Sequence, residues 1–449
     1  MERLKEQELM AWYESKYRKP LIVWGARQVG KSYLVKTLFA KRHFKDFVYI
    51  DVNKDTASRE FFATTCDPAE YLSYIETRFH KKIASDLPLI FDEVQACPNI
   101  LTSLKYFCQD YRELPVIATG SMVRLAVKQV EAKQKDDSFL FPVGKIDSMT
   151  LFPVSFEEYL LNTNPLLMQK IKDAYATRSQ LKPPYHEMAM DLLHEYLTIG
   201  GLPEPLDIFI QTKSYVDATK TLKEVYKNYL GYIENLAQYN ISDETILKTR
   251  NLYQNIFSQL NKENKNFKIS AIESGKSNRD YFNAYQWLEL SHVVYRSRNL
   301  TGKITLPILE KSEGLFRLYL ADEGIFAFQS KVSQADFFVR DKRNTLSGIF
   351  YENYVACEFA AKEIPLFYWT GKSTHEFEFI VHSDGTLYCI DAKKSKGNLN
   401  SLKEFREYNP AAHAIKISAN NFGYNEEHDI FTVPHYAVFL LAGELGKNQ

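Results

Sequence analysis

The apolar positions of this chain change period several times, and each change marks an element. Leu4–Tyr17 carries its apolar residues at helical spacing and predicts an amphipathic helix. Leu21–Trp24 is a short, fully apolar run, the pattern of a strand buried on both faces. A glycine-bearing loop follows, then a helix from about Lys31. Phe44–Val52 alternates and predicts a second strand, and Phe61–Phe79 predicts a helix. Leu87–Glu93 is an apolar run ending in two carboxylates, Asp92 and Glu93. Leu114–Ile117 reads as the next strand, followed by Ala118-Thr119-Gly120-Ser121. Alternating strands and helices predict an α/β, doubly wound parallel sheet.

From Leu151 to about Ile233 the period becomes helical, opening with the capping box Ser155/Glu158. Gly200-Gly201-Leu202-Pro203-Glu204 interrupts it as a tight turn with an architectural role. Ile241 to about Leu309 reads as a winged helix. Its helices are Asp243–Asn261 and Ser277–Leu290, and its wing is His292–Arg298 paired with Lys303–Ile308. The last third predicts a helix over Phe350–Lys362, a strand at Phe367–Trp369, and a hairpin. The hairpin strands are Glu376–Val381 and Leu387–Ala392, joined by His382–Thr386. The expected domains are 1–160, 161–235, 236–309 and 310–449.

Length agrees with that division, because 449 residues exceed what one core usually serves. The formal net charge is zero, so nucleic acid would have to meet a local patch. One exists: residues 262–311 carry nine Lys/Arg against five Asp/Glu. Lys276, Ser277, Asn278 and Arg279 open the second helix of the expected winged helix, the end that enters a major groove in such folds. They are the candidate DNA contacts; a protein-binding or purely structural role is the alternative. Five scattered cysteines without C-x-x-C spacing suit a reducing cytosol. No apolar run is long enough to span a bilayer, and the first residues lack a signal-peptide apolar stretch. The expectation is a cytoplasmic chain with no membrane partner.

The loop Gly25-Ala26-Arg27-Gln28-Val29-Gly30-Lys31-Ser32 fits G-x-x-x-x-G-K-[ST] at every fixed position. Glycines let several backbone N–H groups face one anion, and the helix that follows presents its positive end to it. These eight residues and Tyr33 are the candidate nucleotide contacts, for ATP or ADP. Lys31 would reach the β- and γ-phosphates, and Ser32 would ligate Mg²⁺. Asp92 would hold the same ion through water, and Glu93 would orient and deprotonate the attacking water. Thr119 and Ser121 are candidates for sensing the γ-phosphate, with helix capping as the alternative for each.

These motifs, R-K-P-L-I-V-W-G-A-R-Q-V-G-K-S, L-I-F-D-E-V-Q, A-T-G-S and F-P-V-G-K-I-D…L-F-P-V-S-F-E-E-Y-L, resemble AAA-type ATPases of bacteria and archaea that carry a C-terminal domain of unknown function. The resemblance continues through YLTIGGLPE, LYLADEGIF, GIFYENYV and EFEFI. It implies a P-loop NTPase core with ATP binding and hydrolysis, a helical lid, and no single biological role. A trans-acting arginine finger, and with it a homo-oligomer, is common in such enzymes. Here Arg124 and Lys145 are the candidates, and Lys145 stands where relatives often show arginine.

The C-terminal third resembles the PD-(D/E)xK nuclease fold: Glu352 on a helix, Glu378 on a strand, then Asp391-Ala392-Lys393 on the next. Convergent carboxylates would bind Mg²⁺, and Lys393 would orient the attacking water. The departure is Glu378, where aspartate is usual, with Glu376 nearby on the same face. Two functions stay open. One is a DNA-acting ATPase with a winged helix and a nuclease-like C-terminal α/β domain. The other is an ATP-dependent switch controlling a protein partner.

Overall fold

The computed structural model describes residues 1–121, 142, 144–239, 241–308, 314–331, 346–372, 375–392 and 399–447. The chain folds as two compact units. One is Met1–Pro153 with two short pieces from further along the chain, and the other is nearly all the rest.

The first unit is built on five parallel strands: β1 (Leu21–Trp24), β2 (Val48–Asp51), β3 (Leu89–Asp92), β4 (Val116–Thr119) and β5 (Asp147–Thr150). They lie in the order β2-β3-β4-β1-β5. β1, β3 and β4 are buried along their whole length, as their unbroken apolar runs require. Ile22, Ile50, Phe91 and Ala118 pack with Phe62, Tyr71, Leu104 and Phe107 in the core under the sheet. Register pairs Asp51 with Asp92 and Val23 with Thr119. The polar ends of these strands and the loop after β1 therefore share one sheet edge.

Several elements are shorter than their pattern predicts. The first helix runs Lys5–Glu14, and strand character in Phe44–Val52 is confined to β2. The helix expected over Phe61–Phe79 is two helices, Thr56–Phe62 and Pro68–Phe79. Pro68 cannot continue a preceding helix but suits a first turn. The Asp67 carboxylate caps that turn by accepting from the Ala69 N–H.

The second unit opens with five helices: Phe156–Thr163, Pro165–Ala176, Pro183–Ile199, Pro203–Thr212 and Tyr215–Glu234. The Ser155/Glu158 capping box is formed in both directions. The glycine pair has the architectural role its sequence suggests. Gly200 lies at φ 82°, and a Cβ on Gly201 would stand 2.1 Å from the Val154 carbonyl oxygen. The Gly201 N–H donates to Asp322 Oδ2, and Oδ1 of Asp322 caps the helix Glu323–Ser330 by accepting from Ile325. Burial pushes the Asp322 carboxyl up to about 6.

An eight-stranded mixed sheet completes this unit. Its strands are β6 (Val294–Leu300), β7 (Phe316–Leu320), β8 (Phe367–Thr370), β9 (Glu376–Ser383), β10 (Thr386–Ala392), β11 (His413–Ser418), β12 (Gly423–Asn425) and β13 (Ile430–Pro434). The order is β12-β13-β11-β10-β9-β8-β6-β7. The predicted β9–β10 hairpin is present, and Asp384-Gly385 turns it with both residues at positive φ, which asparagine, aspartate and glycine tolerate best.

The expected wing is not formed. β6 is flanked by β7 on one side and β8 on the other, so neither edge is left for a partner at Lys303–Ile308. That segment is not a strand, and its Ile304 N–H is bonded to Asn409 Oδ1. The second helix expected there, Ser277–Leu290, forms over Phe282–Leu290 and is preceded by a single tight turn, Arg279–Tyr281. The strand assigned to a winged helix thus belongs to the C-terminal sheet, and the division at residue 309 falls between two paired strands of it.

Candidate active site

The loop after β1 is shaped by its glycines. Gly25 (φ 139°) lies so close to the chain that a Cβ would stand 2.2 Å from the Leu151 carbonyl oxygen. Gly30 (φ 93°) begins the helix Lys31–Tyr33, which continues through a wider-turned stretch, Leu34–Lys41. Lys31 is buried, and its Nζ donates to the Gly25 and Ala26 carbonyls at 3.0 and 2.7 Å. Burial drives its pKa down to about 8, against the opposing pull of Glu93 and Asp92. Arg27 Nε donates to Ser121 Oγ at 3.1 Å, tying the loop to the end of β4.

Asp92 closes β3 and is 2 % exposed. One of its oxygens accepts from the Thr119 hydroxyl, the other from the Tyr49 hydroxyl. Glu93 follows at φ 57°, a left-handed conformation uncommon for glutamate, and its carboxylate accepts from the Gln95 amide. The Tyr49 hydroxyl also lies near the Ser32 side chain. The two groups assigned to Mg²⁺, Ser32 and Asp92, therefore lie within reach of one phenol hydroxyl. A hydroxyl and a carboxylate are hard oxygen donors of the kind Mg²⁺ takes with water and phosphate, so the residues fit the ion.

Residues 17–160 match the AAA domain family. Residues 17–160 are an AAA-type P-loop ATPase domain. Beyond it, residues 190–336 match one domain of unknown function (DUF8612) and residues 347–436 another (DUF4143). Over 417 residues the chain is 22% identical to an uncharacterised protein of Methanocaldococcus jannaschii, covering 90% of this chain and 82% of that one. Among solved structures, the Walker-type ATPase of Pyrococcus abyssi aligns at TM-score 0.43 and 15% identity, over 73% of this chain and 95% of its own. A STAND protein with a tetratricopeptide repeat sensor from Pyrococcus horikoshii aligns at TM-score 0.27 and 13% identity, over 81% of this chain and 45% of its own.

Three residues of the first unit escape a motif reading. Gln95 holds Glu93, and Tyr49 holds Asp92 near Ser32. Arg3, buried, donates to the Val29 carbonyl at 2.9 Å and to the Phe152 carbonyl at 2.7 Å, fastening the loop from outside it. No spacing announces such partners, although a tyrosine in a strand neighbouring an acidic strand end is a usable signal. Tyr49→Phe is expected to raise the Mg²⁺ requirement for nucleotide turnover roughly tenfold, the usual cost of losing a partner that orients a metal ligand. Metal-free nucleotide binding should not change. An unaltered Mg²⁺ titration would show the hydroxyl to be a bystander.

Of the other candidates, Tyr33 and Lys145 are exposed, and Arg124 lies outside the described residues. Among the described residues no helix is long and apolar enough to cross a membrane.

In the C-terminal sheet, Glu352 stands on the helix Leu346–Ala361, and Glu376 and Glu378 on β9. Lys393, expected beside Asp391, lies outside the described residues. Glu352, Glu376 and Glu378 face cations of this chain. Arg317 Nη1 is 3.1 Å from Glu352, and its Nη2 is 2.7 Å from Glu376. The Tyr319 hydroxyl donates to Glu352 at 2.7 Å, and the Ala392 N–H to Glu378 at 3.3 Å. Although burial opposes ionisation, Lys265 and Arg317 hold the Glu352 carboxyl down at about 2. Among the described residues no set of three or more acids, histidines or cysteines is arranged to hold a metal.

The DNA candidates lie in a turn. The Ser277 N–H and hydroxyl both donate to Asp280 at 2.8 Å. Ser277 and Arg279 are exposed, while Lys276 and Asn278 are half-buried.

Proposed function

We propose that this chain hydrolyses ATP with Mg²⁺ in its N-terminal unit and uses the nucleotide state to control what its second unit binds. The observation that supports this is the convergence of Lys31, Asp92, Glu93 and Thr119 at one sheet edge. Lys31 exchanges its two carbonyl partners for phosphate oxygens. Ser32 and Asp92 would hold Mg²⁺, which would neutralise charge on the phosphate chain. Glu93, fixed by Gln95, accepts the proton of the attacking water. Thr119 keeps Asp92 oriented, and Ser121 reports through Arg27 on the loop.

The pKa of Lys31 makes binding pH-dependent. Its free-site value is about 8, and added phosphate charge raises it. Nucleotide binding should therefore take up a proton above pH 8, and affinity should fall as pH rises from 8 to 9.5. Calorimetry in buffers of different ionisation heat measures that proton. No uptake above pH 8 contradicts the assignment.

The second unit would act on a macromolecular partner without cutting it. Double-stranded DNA is the partner favoured by the basic turn at Lys276 and Arg279; a protein partner is the other reading. Charge reversal at both residues should lower DNA affinity and flatten its salt dependence. An unchanged salt slope points to the protein partner. Control by nucleotide is tested by hydrogen exchange of Glu93→Gln with ATP and of the native chain with ADP. Altered protection in the second unit is expected, and differences confined to residues 1–153 would refute control.

A further inference from the structure

We propose that Glu352, Glu376 and Glu378 form a cation site whose resident cation is the chain's own Lys265 ammonium, which keeps divalent metal ions out. The inference stands on the second unit alone and needs neither ATP hydrolysis nor a DNA partner.

Lys265 Nζ lies 2.5 Å from Glu352, 3.8 Å from Glu376 and 3.9 Å from Glu378. An ammonium has three donors and no acceptor, and here three carboxylates surround it. Its pKa is pushed up to about 12: burial lowers it, but Glu352 and then Glu378 outweigh burial.

The lysine is held there by its own segment. The Phe267 N–H bonds the Phe316 carbonyl at 2.8 Å, and the two rings stack at 6.0 Å with planes 10° apart. The Tyr368 hydroxyl donates to Asn266. Lys265, from a polar link (Lys262-Glu263-Asn264-Lys265-Asn266), is thus tied to the sheet by the two residues that follow it.

Charge explains the exclusion. Among the described residues, three carboxylates facing Lys265 and Arg317 leave one net negative charge. Without Lys265 two remain, the charge a divalent ion matches. With Lys265 seated, an incoming ion must displace a buried, paired ammonium and leave it without partners, which is costly. Phosphodiester hydrolysis assisted by a metal at these carboxylates is therefore blocked while residues 262–268 are seated.

The test is Mn²⁺ binding followed by electron paramagnetic resonance, without nucleotide and in an Asp92→Asn background that silences the ATPase metal site. Lys265→Met keeps side-chain length and removes the charge. It should bind about one Mn²⁺ at least roughly tenfold more tightly than its parent. Adding Glu378→Gln should abolish that gain, and Lys265→Arg should show none. No gain in Lys265→Met overturns the proposal, as does Mn²⁺ binding by the parent that Glu378→Gln removes.

Lys265→Met risks misfolding, so the parent is also examined directly with ¹⁵N-labelled lysine. A protected ammonium resonance, missing in Lys265→Arg and not broadened by Mn²⁺, supports exclusion. Its absence, or its broadening by Mn²⁺, overturns it.

Discussion

Glu93→Gln should bind ATP as the native chain does and turn it over about 10²–10⁴ times more slowly, the usual loss when a general base is removed. Glutamine keeps the shape of the side chain but cannot accept the proton of water. Its backbone position is special, at φ 57° directly after β3, which turns the carboxylate away from the strand direction and toward Gln95. Such a conformation persists only where surrounding structure imposes it. The Glu93 N–H is in turn held by Asp92 Oδ1 at 3.0 Å. The expected signature is ATP, not ADP, retained after gel filtration, with phosphate release nearly lost. Turnover at the native rate would remove Glu93 from the chemistry.

Lys31→Ala should weaken ATP binding by about one to two orders of magnitude, the worth of a charge-assisted hydrogen bond, and abolish turnover. The fold should survive. In the free site Lys31 is a buried cation with only carbonyl partners, and burial depresses its pKa to about 8 from 10.5. A lysine with a depressed folded-state pKa opposes folding below pH 8, and the penalty fades as pH rises from 8 to 10.5. Alanine removes that penalty, so the melting temperature at pH 7 should be equal or higher. Lost binding with an intact melt assigns Lys31 to the nucleotide; a collapsed melt would assign it to the scaffold.

The parts legible from sequence are those whose information is local. The stretch from Leu21 to Ser32 states strand, loop and helix start within twelve residues, and the loop glycines occupy the positive-φ and close-approach positions that the pattern requires. The β9–β10 hairpin was equally local, because alternation and Asp384-Gly385 specify the turn. What escaped depends on partners distant in sequence. Val294–Leu300 reads as a wing strand would, yet its neighbours are β7 and β8, and nothing within the strand names them. Tyr49 and Gln95 matter through hydrogen bonds across elements. Lys265 sits in a run that reads as solvated linker; its meaning comes from carboxylates 87 and more residues away. The Pro68 break was visible, but helical periodicity on both sides masked it.

On the proposed function, Asp92 and the residues gathered around it serve ATP hydrolysis. The most direct measurement is single-turnover phosphate release from ATP with Mg²⁺, comparing the native chain with Asp92→Asn. The native chain should release phosphate and the variant should not, while both bind nucleotide. No release by the native chain at any Mg²⁺ concentration, or equal release by both, would contradict the account.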